Sequence, residues 1–127
     1  MNVLGLGLDI VAVDRVERLV ARFGERALRR VLTDAECAYC LGKARPATHV
    51  AARLAAKEAA YKALARDQDA RFVGWREVEV SRDDDGRPRL VLHGRAEAAA
   101  RRLGVRDTMI SLTHESTHGA AVAILLG

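Results

Sequence analysis

Val3 to Val13 is an almost continuous apolar run, broken by Gly5 and Gly7, and its only charge is Asp9. Such a run predicts a short buried strand whose far end carries a carboxylate. From Asp14 the period changes. Asp14 with Glu17 has the spacing of a capping box, and Val16, Leu19, Val20 and Phe23 recur at helical intervals until Gly24, with Arg15, Arg18, Arg22 and Arg26 on the opposite face. A second box, Thr33 with Glu36, opens a helix through Leu41 that Gly42 closes. Pro46 suits the first turn of a longer helix that runs through Ala, Leu, Lys and Arg to Arg66.

Beyond Trp75 the apolar positions alternate. Val78 and Val80 lie between Glu77, Glu79 and Ser81, and Asp83-Asp84-Asp85-Gly86 turns the chain into Arg89–His93, which predicts a hairpin with a longer loop. Gly94 leads into an Arg/Ala helix ending at Gly104, and strands are expected over Thr108–Thr113 and Ala120–Leu126. Helices and antiparallel strands in this order predict an α+β fold, an antiparallel sheet packed against one long and several short helices. At 127 residues a single domain spanning 1–127 is expected.

Composition adds limits. Half of the residues are apolar and 30% are charged, which suits a packed core and excludes intrinsic disorder. No apolar run reaches the length of a membrane span, and Met1–Ile10 has neither a basic segment nor a cleavage pattern, so a cytoplasmic chain with no membrane partner is expected. The net charge is +4, and with three lysines in the chain, 18 of its 21 basic residues are arginine. Phosphate-bearing or acidic partners fit that balance, but so does a genome rich in Arg codons. Few aromatic side chains and no reading motif argue against a nucleic-acid partner.

Several motifs mislead. His114-Glu115-Ser116-Thr117-His118 matches H-E-x-x-H, but zinc chemistry needs a helix there, whereas this pentad lies between two β-like runs. Cys37-Ala38-Tyr39-Cys40 is a lone C-x-x-C without a second ligand pair, so two buried thiols are expected. Gly5-Leu6-Gly7 lacks the third glycine and the parallel unit of a dinucleotide fingerprint.

Two acids stand out. Asp9, between Leu8 and Ile10, is costly to bury without a cation or hydrogen bonds. Glu58 interrupts a stripe of Ala51, Leu54, Ala55 and Ala65 on the long helix, where Arg53, Lys57 and Lys62 crowd around it. A capping aspartate and a solvated ion-paired helix face are the plain alternatives.

Taken together, Gly7-Leu8-Asp9-Ile10, Arg53-Leu54-Ala55-Ala56-Lys57-Glu58-Ala59 with Lys62-Ala63-Leu64, Gly86-Arg87-Pro88, and Ser111-Leu112-Thr113-His114-Glu115 with Ala120-Ala121-Val122-Ala123 resemble holo-[acyl-carrier-protein] synthase, the short 4'-phosphopantetheinyl transferases. The resemblance covers almost the whole chain. It implies transfer of phosphopantetheine from coenzyme A to a serine of an acyl carrier protein, with release of adenosine 3',5'-bisphosphate. It also implies a magnesium ion held by Asp9 and Glu58, which suits a hard cation that accepts two carboxylates plus phosphate oxygens and waters.

By the same resemblance Lys62 meets the β-phosphate, while Arg53 and Lys57 stand on the phosphate side. Ser111 and His114 lie along the coenzyme A cleft, His114 near the 3'-phosphate, and Pro88 packs on the adenine. Glu58 takes the serine proton, directly or through a water. Arg15, Arg18 and Arg22 dock the acidic carrier protein, and a homotrimer with clefts between subunits is implied. Two departures stand out: Ala65-Arg66-Asp67-Gln68-Asp69 replaces a glycine-containing loop, and Ala60-Tyr61 reverses the usual size order. A non-catalytic module that binds coenzyme A or carrier protein is the alternative.

Overall fold

The computed structural model describes all residues from Met1 to Gly127. Its elements are β1 (Val3–Ala12), α1 (Val13–Phe23), α2 (Arg26–Val31), α3 (Asp34–Leu41), α4 (Pro46–Leu64), two 3-10 turns (Gln68–Phe72 and Trp75–Glu77), β2 (Val78–Arg82), β3 (Pro88–Leu92), α5 (Gly94–Leu103), β4 (Asp107–His114) and β5 (His118–Leu126). The architecture is α+β. One antiparallel sheet has the order β1-β5-β4, and β2 pairs with β3 in a separate hairpin.

α4 is the centre. Thirteen of its 19 residues are buried, and its open positions include His49, Glu58, Tyr61 and Lys62. Alanine makes this burial possible, because helix and sheet can approach with little between them. A Cβ on Gly7 would collide with the carbonyl oxygen of Ala59, and one on Gly119 with the backbone of Ala52. Gly7 is therefore a contact surface for the helix, which explains the Gly5-x-Gly7 pattern without any nucleotide.

Register then decides which way β1 points its side chains. Asp9 follows Gly7 and precedes Val11 on the face toward α4, while Leu6, Leu8 and Ile10 alternate onto the opposite face. Those three are 63%, 68% and 64% exposed, so the expectation of a buried strand is corrected: only one face of β1 is covered. The open face continues across β5 and β4, where Val122 pairs with both Leu8 and Ser111, and Ile124 with both Leu6 and Met109.

The expected capping box at Asp14 does not form. β1 runs directly into α1, Ala12 is the N-cap without a side-chain bond, and the amide of Val13 donates to Thr117 O at 2.8 Å. The Thr33–Glu36 box does form. α4 begins at Pro46 as expected but ends at Leu64, short of Arg66. α2 and the two 3-10 turns were not anticipated from the sequence.

Candidate active site

Asp9 and Lys62 meet where β1 crosses the last turns of α4. Lys62 Nζ donates to Asp9 Oδ1 at 2.8 Å and to Leu8 O at 3.0 Å. The other carboxylate oxygen of Asp9, Oδ2, is buried and has no hydrogen-bond partner. Glu58, one helical turn before Lys62, accepts from Arg15 Nη2 at 3.2 Å. Four of the expected site residues thus converge on one spot.

The two acids perturb each other. Burial pushes the carboxyl of Asp9 up, but the neighbouring Glu58 carboxyl, the hydrogen bond and charge of Lys62 and the amide of Ile10 outweigh it and hold the pKa low. For Glu58 burial acts first, and the nearby carboxylate of Asp9 adds to it, so its pKa is raised despite Arg15. Two neighbouring carboxyl groups, one held low and the other pushed up, are a pair that could hold a cation. Beside Glu58 opens a cleft of about 360 Å³ walled by Tyr61, Arg71, Val73, Gly74 and Trp75. In the atypical 65–69 segment Asp67 accepts the Asp69 amide and forks onto Arg102 at 2.8 and 2.9 Å, which ties the segment to α5.

Lys57 also borders this cleft, but its ammonium is turned into the protein. Its side chain is 1% exposed, and Nζ bonds Glu36 Oε1 at 2.7 Å and the carbonyls of Trp75 and Val78. All three protons are committed inside the chain, where the ammonium ties α3, α4 and β2 together, so the lysine expected on the phosphate side is engaged by the protein itself in this structure.

Arg53 belongs to a second group. It is 3% exposed, its Nε has no partner, and its guanidinium lies 4.0 Å from the Tyr39 ring centroid. Lys43 Nζ and the Arg82 guanidinium approach the same ring at 4.5 and 5.0 Å. The rings of His49 and His114 meet at a 60° tilt with centroids 4.6 Å apart, and burial, then the charges of His114, Arg53, Lys43 and Arg82, pull the pKa of His49 down. No carboxylate contacts these cations, so the cluster is suited to an anion. Sequence reading found Arg53 and His114 but missed Tyr39, Lys43, His49 and Arg82. The four-residue step from His49 to Arg53 was the available signal.

One chain does not unite the two groups. Nine residues separate His49 from Glu58 on α4, about half a turn around the helix and roughly 13 Å along it. Ser111 is on the open face of the sheet, away from Asp9, and Pro88 opens β3 opposite Arg82. Of the expected docking residues, Arg18 pairs with Asp14 at 3.0 Å and Arg22 covers the Phe23 ring, both exposed on α1. His114 ends β4 and His118 begins β5, so the H-E-x-x-H pentad is a turn, and no group of three or more potential metal-ligating side chains forms. Cys37 and Cys40 are buried free thiols.

Comparison with known proteins shows the family of the chain. A family model described as the 4'-phosphopantetheinyl transferase superfamily matches residues 5–124. The holo-[acyl-carrier-protein] synthase of Anaeromyxobacter dehalogenans is 47% identical over 98% of this chain and 97% of that protein, and that of Moorella thermoacetica is 45% identical over 96% and 93%. Among solved structures, the acyl carrier protein synthase of Mycobacterium tuberculosis superposes with a TM-score of 0.72 at 34% identity, covering 99% of both chains. The Helicobacter pylori holo-[acyl-carrier-protein] synthase in complex with coenzyme A gives 0.79 at 25% identity, over 95% of this chain and 99% of that one.

Proposed function

The chain belongs to the 4'-phosphopantetheinyl transferase superfamily, among the holo-[acyl-carrier-protein] synthases, and on that premise we propose that it transfers the phosphopantetheine arm of coenzyme A to a serine of an apo acyl carrier protein. The serine oxygen forms a bond to the β-phosphorus, and adenosine 3',5'-bisphosphate leaves. One observation carries the reading: Asp9, paired with Lys62, neighbours Glu58, which lines a cleft.

The residues fit a magnesium ion. Two carboxylates are few for a protein-only site but suffice for an ion that keeps waters and substrate phosphate oxygens, and the unpartnered Oδ2 of Asp9 is available to it. When bound, the ion neutralises the pyrophosphate and eases departure of the bisphosphate. Lys62, half exposed, offers its ammonium to charge that builds on the leaving phosphate. Glu58, with its raised pKa, is suited to hold the serine proton, received directly or through a water. The Arg53–His114 cluster suits the 3'-phosphate, and Pro88 the adenine.

We place the complete cleft between copies of the chain in a homotrimer. Two features support this: the two halves of the site face away from each other in one protomer, and Leu6, Leu8, Ile10 and Met109 form an exposed apolar sheet face that a neighbour would cover. No helix is long and apolar enough to cross a membrane, and we assign the activity to the cytoplasm. Arg15, Arg18 and Arg22 present positive charge on α1 to the acidic carrier protein. The test is to incubate the protein with coenzyme A, Mg2+ and apo carrier protein, and to measure the carrier's mass. A gain of one phosphopantetheine, lost in Asp9→Ala, is expected; no gain with several carriers overturns the reading.

A further inference from the structure

Among the three candidate docking arginines on α1, only Arg15 reaches the acid pair. Its Nη2 is 3.2 Å from Glu58 Oε1, while Arg18 turns to Asp14 and Arg22 to Phe23. Lys62 holds Asp9 on the other side. Two carboxylates are therefore met by two positive charges of the chain, the same charge a divalent ion would bring. The Arg15–Glu58 pair is also open, with the guanidinium side chain 53% and the carboxylate 25% exposed. Such a pair is weak and exchanges readily, unlike the sealed Lys57–Glu36 pair.

We propose that Arg15 is a positioning residue that stands in for the cation: it holds Glu58 beside Asp9 in the metal-free chain and is released when a divalent ion enters. The freed guanidinium then faces outward from α1 toward an acidic partner. Metal entry and partner docking become linked, because both draw on one arginine, and linkage requires each to strengthen the other equally. The inference rests on Asp9 and Glu58 being the metal-binding acids.

The experiment measures Mn2+ affinity from the electron paramagnetic resonance signal of the free ion. It compares wild type, Arg15→Gln, Arg26→Gln and Asp9→Asn, each with and without an apo carrier protein whose acceptor serine is replaced by alanine. Arg15→Gln removes the competitor, so its Mn2+ affinity rises roughly threefold, the size of an exposed ion pair. Arg26→Gln, an equal loss of charge on the neighbouring α2, leaves the affinity at the wild-type value. Carrier protein tightens Mn2+ binding to wild type by a similar factor and has no such effect on Arg15→Gln. If Mn2+ affinity is indifferent to Arg15, or the carrier effect persists in Arg15→Gln, the proposal is overturned while the metal reading stands. If Asp9→Asn binds Mn2+ as wild type does, the metal reading fails and this proposal with it.

Discussion

α4 carries two lysines five residues apart that do opposite work. Lys57 is sealed among Glu36 and two carbonyls, with Glu36 in turn accepting the amides of Thr33 and Val80. Lys62 stands half exposed on Asp9, one helical turn beyond Glu58. Both are ion pairs on the same helix. The difference is saturation: every donor and acceptor at Lys57 has a partner within the chain, whereas the Asp9–Glu58 group leaves an oxygen of Asp9 unmatched and raises the pKa of Glu58. A saturated buried network fixes structure; an unsaturated, half-open one is ready to bind.

The sharpest way to break this contrast is to unseat Lys57. Lys57→Ala leaves the Glu36 carboxylate buried without its counter-charge and should cost about 3–5 kcal/mol of stability in urea denaturation. The pair Lys57→Met with Glu36→Leu should recover much of that loss, because no charge is then stranded. A Lys57→Ala variant as stable as wild type would erase the distinction between the two lysines.

Lys62→Ala should behave in the reverse manner. Its unfolding free energy in urea falls by no more than about 1 kcal/mol, as for other exposed pairs, while kcat for carrier-protein modification falls ~100-fold or more. Equal losses of stability in the two lysine variants would contradict the account.

The smallest effect concerns pH. The folded-state pKa of Glu58 is raised, so the native chain holds that proton more tightly than the unfolded one. Its contribution to stability is present below the ordinary value of 4.5 and is lost as pH rises through the raised value. Glu58→Gln, which stays uncharged, should therefore be more stable than wild type at neutral pH, with the advantage vanishing on acidification. Calorimetric melting across pH checks the sign.

How far the sequence shows this contrast differs residue by residue. The long helix is plain from its Ala, Leu, Lys and Arg content, and Asp9 and Glu58 stand out as charges in apolar stripes. The fate of Lys57 is not visible, because its partner Glu36 lies 21 positions away and reads as half of a local capping box. α2 has only six residues and no capping side-chain bond, so no periodic signal announces it. β1 reads as buried because both of its faces are apolar, and a pattern of side chains does not say whether a second face meets the same chain or another copy. The division of the site into two groups has the same origin: spacing places residues on elements, but not on sides of the molecule.

The central claim is that Asp9 and Glu58 share one divalent cation. Crystals grown with coenzyme A and Mn2+, with diffraction recorded at the manganese absorption edge, test it directly. The account predicts a single anomalous peak within coordination distance of both carboxylates, with Arg15 drawn off Glu58. A peak held by one acid alone, or by neither, would contradict it.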